Sequence, residues 1–209
     1  MKKILTLAVI AVASVFGANA EGLYIGGQLG FMHESAGAKA YGYDAKFDHN
    51  TFTIVPEIGY NFNDRWAVGG TIGYTYKHWC GSKTSFNMFE ISPYARWSYF
   101  RTSNNLVQLF VDGGFGIGAG AYDVDVDGYK SHTGVIWNVG FRPGIAINPT
   151  PNFSIVAHVG LLGYEGANHT AQDAGYQSRG GLMLDSNDLT LGFYYNVNVP
   201  NSATHFFKP

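Results

Sequence analysis

Every second residue from Phe52 to Phe62 is apolar: Phe52, Ile54, Pro56, Ile58, Tyr60 and Phe62. Thr51, Thr53, Val55, Glu57, Gly59 and Asn61 fall between them. A two-residue period marks a strand with two unlike faces. The alternation recurs and predicts strands near 22–33, 50–62, 66–77, 86–100, 106–122, 133–148, 153–164 and 188–198. No helical period interrupts them. The connections alternate in length. "NDR" (63–65), "RTSNN" (101–105) and "PTPN" (149–152) are short and rich in turn formers. Those around 34–49, 78–85, 123–132 and 165–187 are longer.

The two faces differ in kind. One collects Leu23, Ile25, Leu29, Phe31, Val68, Ile72, Phe89, Ile91, Phe115, Ile117, Trp137, Phe141, Phe153, Val159, Leu161, Leu191 and Phe193. The other collects Gln28, Glu57, Thr71, Glu90, Arg96, Asp112, Asn138, Arg142, His158 and Thr190, with many glycines. A water-facing sheet surface would be dense in Lys and Glu. Glycine gains nothing there but fits inside a narrow cylinder. The pattern therefore predicts an all-β fold: an eight-stranded antiparallel up-and-down barrel, apolar toward lipid, with short periplasmic turns and longer extracellular loops. A one-residue slip would turn Glu57, Glu90, Arg96, Asp112 and Arg142 outward. Each basic residue would then cost about 2–4 kcal/mol near the midplane, and each acidic one less.

Composition agrees. Charged residues make up 13 % and aromatics 16 % of the chain, with 28 glycines. Ordinary soluble domains carry about 25 % charge. The net charge of −2 argues against a nucleic-acid partner. Lys2 and Lys3, the apolar run Ile4–Phe16 and the small residues Ala18-Asn19-Ala20 read as a secretory leader. The expected division is a cleaved leader at 1–20, a barrel at 21–198 and a short tail at 199–209. Aromatics beside the short turns (Tyr60, Phe62, Trp66, Trp97, Tyr99, Phe100, Phe153) read as an interfacial girdle. The one cysteine, Cys80, forms no internal disulfide and reads as an incidental loop thiol.

The stretches "FTIVPEIGYNFNDRWAVGGTIGY", "FEISPYARWSYF" and "WNVGFRPGIAINPTPNFSIVAHVGLLGY" resemble the small outer-membrane β-barrel family of the OmpX and OmpA-barrel type. The resemblance covers essentially the whole mature chain and specifies fold better than activity. It implies insertion by the barrel-assembly machinery, which reads a terminal aromatic residue. Here "LTLGFYYNV" is followed by "NVPNSATHFFKP", so the signal is expected near Tyr195–Val197, with Phe206 and Phe207 as the alternative. The resemblance also includes prolines at places like Pro56, Pro93 and Pro143, which bulges or local bends would have to accommodate.

The candidate chemistry lies inside. Gln28, Glu57, Glu90, Arg96, Asp112, Arg142 and His158 are expected to form a polar lumen network. A salt-bridge plug is the leading reading, because about eight strands leave an interior just filled by side chains. An ion path or gate is the alternative. Asp123, Asp125, Asp127 and Gly128 match the first half of a calcium loop, but Gly134 stands where that loop needs Glu. An exposed charged rim is the plainer reading. His33, His49, His78 and His132 lie near the long-loop rim without metal-like spacing. Ser35 near His33, or Ser131 beside His132, offers no recognised pattern of a lipid A-modifying enzyme.

The expected protein is therefore a non-enzymatic, monomeric outer-membrane barrel without a cofactor. Its expected contacts are outer-membrane lipid and an extracellular ligand or surface met through its loops, of which "EGANHTAQDAGYQSRGGLMLDSN" (165–187) is the best candidate.

Overall fold

The computed structural model describes residues 22–40, 43–80, 84–123, 132–173, 176–184 and 189–197. The expected leader (1–20) and tail (199–209), Asp125 and Asp127 lie outside them. Six long strands come first: β1 (Leu23–Ala40), β2 (Tyr43–Asn61), β3 (Trp66–Trp79), β4 (Ser85–Arg101), β5 (Val107–Asp123) and β6 (His132–Thr150). Four shorter strands follow, β7 (Phe153–Val159), β8 (Leu161–Ala167), β9 (Arg179–Met183) and β10 (Leu189–Asn196), with a short helix α1 (His169–Asp173) after β8. Among the described residues no helix is long and apolar enough to cross a membrane.

All pairings are antiparallel, and β1 to β7 with β10 close into a ring of eight. The faces sort as the alternation demands. Phe89, Ile91, Phe115, Ile117, Phe141 and Phe193 are exposed on the outer wall. Glu57, Ser92, Arg96, Asp112, Ser154 and His158 are buried inside. Two apolar layers bracket those polar groups. Tyr24, Ala67, Phe110, Ala146, Val156 and Tyr194 form one toward the short turns. Phe86, Met88, Ile136, Ala167 and Ala171 form the other toward the long loops.

Three departures from the sequence reading have local causes. First, the expected loop 34–49 is largely ladder: β1 and β2 stay paired from Leu23–Tyr60 to Ala40–Tyr43. Second, Leu161 points inward and is buried, not lipid-facing. Gly160, at φ 78°, is an extra residue between β7 and β8. Pairing to β6 shifts by one across it, from Gly144–His158 to Phe141–Leu162, which reverses the parity. Third, the loop 165–187 carries the end of β8, α1 and β9.

The prolines are settled by missing rungs. Pro56 is paired with Gly27 on β1, but the β2–β3 ladder skips from Ile54–Tyr74 to Glu57–Thr71 in unchanged register. Pro93 is paired with Gly70, while the β4–β5 ladder skips from Ile91–Ile117 to Tyr94–Gly114. Pro143 is paired with Val111 and sits opposite the Gly160 bulge. Each proline thus stands where its ladder is already open on the side that would need an N–H. The expected bulge occurs only at Pro143.

Candidate functional site: a plugged lumen with an outward vestibule

Inward parity on β2, β4, β5 and β7 brings Glu57, Arg96, Asp112 and His158 to one level. Arg96 and Asp112 are direct partners across β4 and β5. The guanidinium grips the carboxylate with two bonds, Nε to Oδ1 and Nη2 to Oδ2, each 2.7 Å. Nη2 also lies 3.7 Å from Glu57 Oε1. His158 Nε2 meets the second Asp112 oxygen at 2.8 Å. Both Asp112 oxygens are therefore occupied.

Three tyrosines complete the layer. Tyr194 donates to Glu57 Oε2 at 2.6 Å. Tyr94 donates to Glu57 Oε1, and its hydroxyl also meets that of Tyr24. The Arg96 guanidinium lies 4.0 Å from the Phe110 ring centre, with the rings of Tyr94, Tyr194 and Tyr24 at 5.2, 5.3 and 5.8 Å. Buried charge is tolerated when it is paired, hydrogen-bonded and surrounded in this way. Two glycines make the room: a Cβ at Gly59 would collide with the Tyr24 ring, and one at Gly69 with the Tyr94 ring. The sequence reading missed Tyr24, Tyr94, Tyr194 and Phe110. Their parity, shared with Gly26, Arg96, Gly192 and Asp112, was the available signal.

Glu90, Arg142 and Gln28 are not in the plug. Arg142 is the β6 partner of Asp112, but that carboxylate is already held by Arg96 and His158. Among the described residues its side chain makes one polar contact, Nη2 to Asn138 Oδ1 at 3.4 Å. Asn138 turns its amide toward Glu90 Oε1 at 2.8 Å, which also accepts from Ser92 Oγ at 2.7 Å. Glu90 and Arg142 thus share a neutral bridge. With Gln28, Thr51, Thr190 and the Arg179–Glu165 pair (2.8 Å) they line a cavity of about 620 Å³. A second cavity of about 420 Å³ lies at the short-turn end, lined by Asn61, Gln108, Asn148 and Asn196. Tyr24, Arg96, Phe110 and Tyr194 stand at its head.

The loop after β8 folds back against β6. Asn168 Oδ1 accepts from Ala171 N at 3.0 Å, capping α1, and from Val135 N at 2.9 Å. Its Nδ2 donates to Thr133 O at 3.1 Å. Ala171 is thereby buried, and Tyr176 packs 5.5 Å from the Phe86 ring. Burial pushes the Tyr176 phenol above its ordinary value, and the Glu90 charge adds to the rise.

Of the other candidates, Asp123 lies at the end of β5, and its side chain is outside the description. His33 Nδ1 meets Asn50 Oδ1 at 2.7 Å, and Ser35 donates to Asp48 rather than to His33. Among the described residues no group of three or more His, Cys, Asp or Glu is placed to hold a metal ion. Cys80 is exposed, with Asn50 Nδ2 at 3.3 Å from its sulfur.

Residues 4–204 match the family model described as "Outer membrane protein beta-barrel domain". Comparison with the curated proteins gives no match. Among solved structures, Neisserial surface protein A (NspA) is similar at 17 % identity, over 84 % of this chain and 97 % of that one, with a TM-score of 0.49. Ail, the attachment invasion locus protein of Yersinia pestis, is similar at 20 % identity, over 84 % and 95 %, with a TM-score of 0.42.

Proposed function

Because the chain belongs to the outer-membrane protein β-barrel domain family, we propose that it is a non-enzymatic barrel closed to through-flow, which supports the outer membrane and presents an ordered outward surface. The observation that carries this reading is the Arg96 layer. It places a bidentate ion pair, a second carboxylate and three tyrosines across the cylinder between the two cavities. Charges held this tightly offer a passing ion no free partner. The outward surface is the segment of β8, α1 and β9, fixed to β6 by Asn168. In this reading the chain is exported with residues 1–20 as leader, inserted as a monomer by the barrel-assembly machinery, and set with its short turns in the periplasm.

A narrow ion path is the second reading, favoured by the single layer that separates the two cavities. Planar-bilayer recording tests both. The closed reading expects no steady unitary current. Regular steps that Arg96→Ala enlarges would replace it with the channel.

A further inference from the structure

The short-turn half of the lumen is a cup of about 420 Å³ with Arg96, Tyr24 and Tyr194 at its head. Its wall is described all the way round, from Gly22 through the three short turns to Asn196. Its size falls within the range of small-ligand sites, about 300–1,000 Å³.

Three asparagines give the wall its chemistry. Asn61 closes β2, Asn196 closes β10, and Asn148 stands two residues before the end of β6. Each spends its amide N–H₂ on a backbone carbonyl. Asn61 Nδ2 donates to Gly22 O at 3.1 Å, Asn148 Nδ2 to Asn105 O at 2.8 Å, and Asn196 Nδ2 to Pro151 O at 3.3 Å. A carbonyl only accepts, so these bonds fix which end of each amide faces the backbone. The three Oδ1 atoms accept no hydrogen bond among the described residues, and none is sealed from solvent. They remain as acceptors for whatever fills the cup.

The charges select the occupant. Both guanidiniums on the cup are engaged. Arg96 is held by Asp112 and Glu57. Arg101 Nη2 donates to the Asp64 carbonyl at 2.9 Å, and its Nη1 lies 3.5 Å from the Asp64 carboxylate. The remaining Arg101 Nε is out of reach of solvent. An anion therefore finds no free cation. At the head of the cup, two carboxylates, Asp112 and Glu57, stand against the one guanidinium of Arg96. Between head and rim the wall carries apolar Ala146 and Val156.

We propose that the cup binds a linear alkyl polyamine from the side of the short turns, with ammonium groups on the Oδ1 atoms of Asn61, Asn148 and Asn196 and methylenes against Ala146 and Val156. An ammonium presents donors and no acceptor, which matches this wall, and its bonds to carbonyl oxygen are charge-assisted. A bare divalent cation is a poorer match. It calls for carboxylates, and among the described residues no group of three or more His, Cys, Asp or Glu is placed to hold one. The cup lies on the short-turn side of the Arg96 layer, so this inference does not depend on whether that layer conducts.

The test is titration of the full chain, folded in dodecyl maltoside micelles, with spermidine at fixed ionic strength. It is followed by calorimetry and by the side-chain amide NMR signals of the three asparagines. Saturable binding that shifts the signals of Asn61, Asn148 and Asn196 is expected. Asn148→Leu should weaken it about tenfold, the loss of one hydrogen bond to a charged group. Gln108→Glu should tighten it by a similar factor. That change adds a negative charge to the same wall without changing shape, and the Ser98 hydroxyl, which now accepts from Gln108 Nε2, can turn to donate. Heat-modifiable gel mobility verifies that both variants fold. Two variants with opposite expected signs keep a general loss of structure from passing as support. Absence of saturable binding would overturn the proposal, as would equal affinity for Mg²⁺ or equal affinity in both variants. Binding that appears only when residues 198–209, which follow Val197 at the rim, are removed would also overturn it, by making that segment the occupant.

Discussion

Arg96→Met tests the lumen layer at its centre. The substitution keeps an unbranched apolar side chain against Phe110 and removes the charge. Asp112 loses two bonds of 2.7 Å and keeps only His158 at 2.8 Å. Glu57 loses the cation at 3.7 Å and keeps Tyr94 and Tyr194. Breaking a buried pair from one side typically costs about 3–5 kcal/mol, because a carboxylate is stranded away from water. The two retained partner sets place this site at the lower end, about 3 kcal/mol. With a urea m-value of about 1–3 kcal/mol/M, the midpoint should fall by roughly 1–3 M. The assay is urea unfolding in lipid vesicles, followed by tryptophan emission and by gel mobility. Adding Asp112→Asn should restore much of the loss, because the stranded charge is then gone. A midpoint shift below about 0.3 M at constant m would refute the reasoning, since it would mean that water already reaches these carboxylates.

Further outcomes follow from the same geometry. Ile91→Arg places a charge on the lipid face and should destabilise by about 2–4 kcal/mol, read in the same unfolding assay; a change under about 0.5 kcal/mol would put that face in water. Asn168→Ala removes the α1 cap and its two bonds to β6, and should cost about 1–2 kcal/mol locally, seen as faster proteolysis between Leu161 and Leu184 with the barrel midpoint unchanged. Tyr176 has a folded-state pKa above the unfolded one, so its contribution is whole below the ordinary 10.0 and is lost as pH rises beyond it. Proteolysis of the same segment should therefore accelerate above that pH, and Tyr176→Phe should remove the step.

The barrel was legible because lipid imposes a simple rule on alternate residues, and Phe89 to Trp97 or Leu109 to Ile117 obey it without exception. The rule weakens where the solvent changes. Beyond the apolar band both faces of a strand meet water, so residues 34–49 lose their alternation while β1 and β2 remain paired. It also fails wherever one residue is inserted. Gly160 reverses the parity of β8, and Leu161 was assigned to the wrong face for that reason alone. Within the lumen, charge was a sound guide to Glu57, Arg96, Asp112 and His158. Glu90 and Arg142 share the lumen but not the central ion-pair layer, because one carboxylate cannot serve two arginines fully and the fork of Arg96 took Asp112. The plug tyrosines were missed because the lumen was searched by charge and amide or imidazole chemistry, and Tyr24, Tyr94 and Tyr194 carry inward parity without either. The helix α1, at five residues, is too short for any periodic signal, although Asn168 before it is a recognisable cap.

Nitroxide labels placed one at a time at residues 88 to 92, in a Cys80→Ser chain folded into bilayers, test the assignment of solvents most directly. Collisions with dissolved oxygen should be frequent at 89 and 91 and rare at 88, 90 and 92, with a water-soluble nickel complex excluded from the first pair. Free access of nickel to 89 and 91 would contradict it.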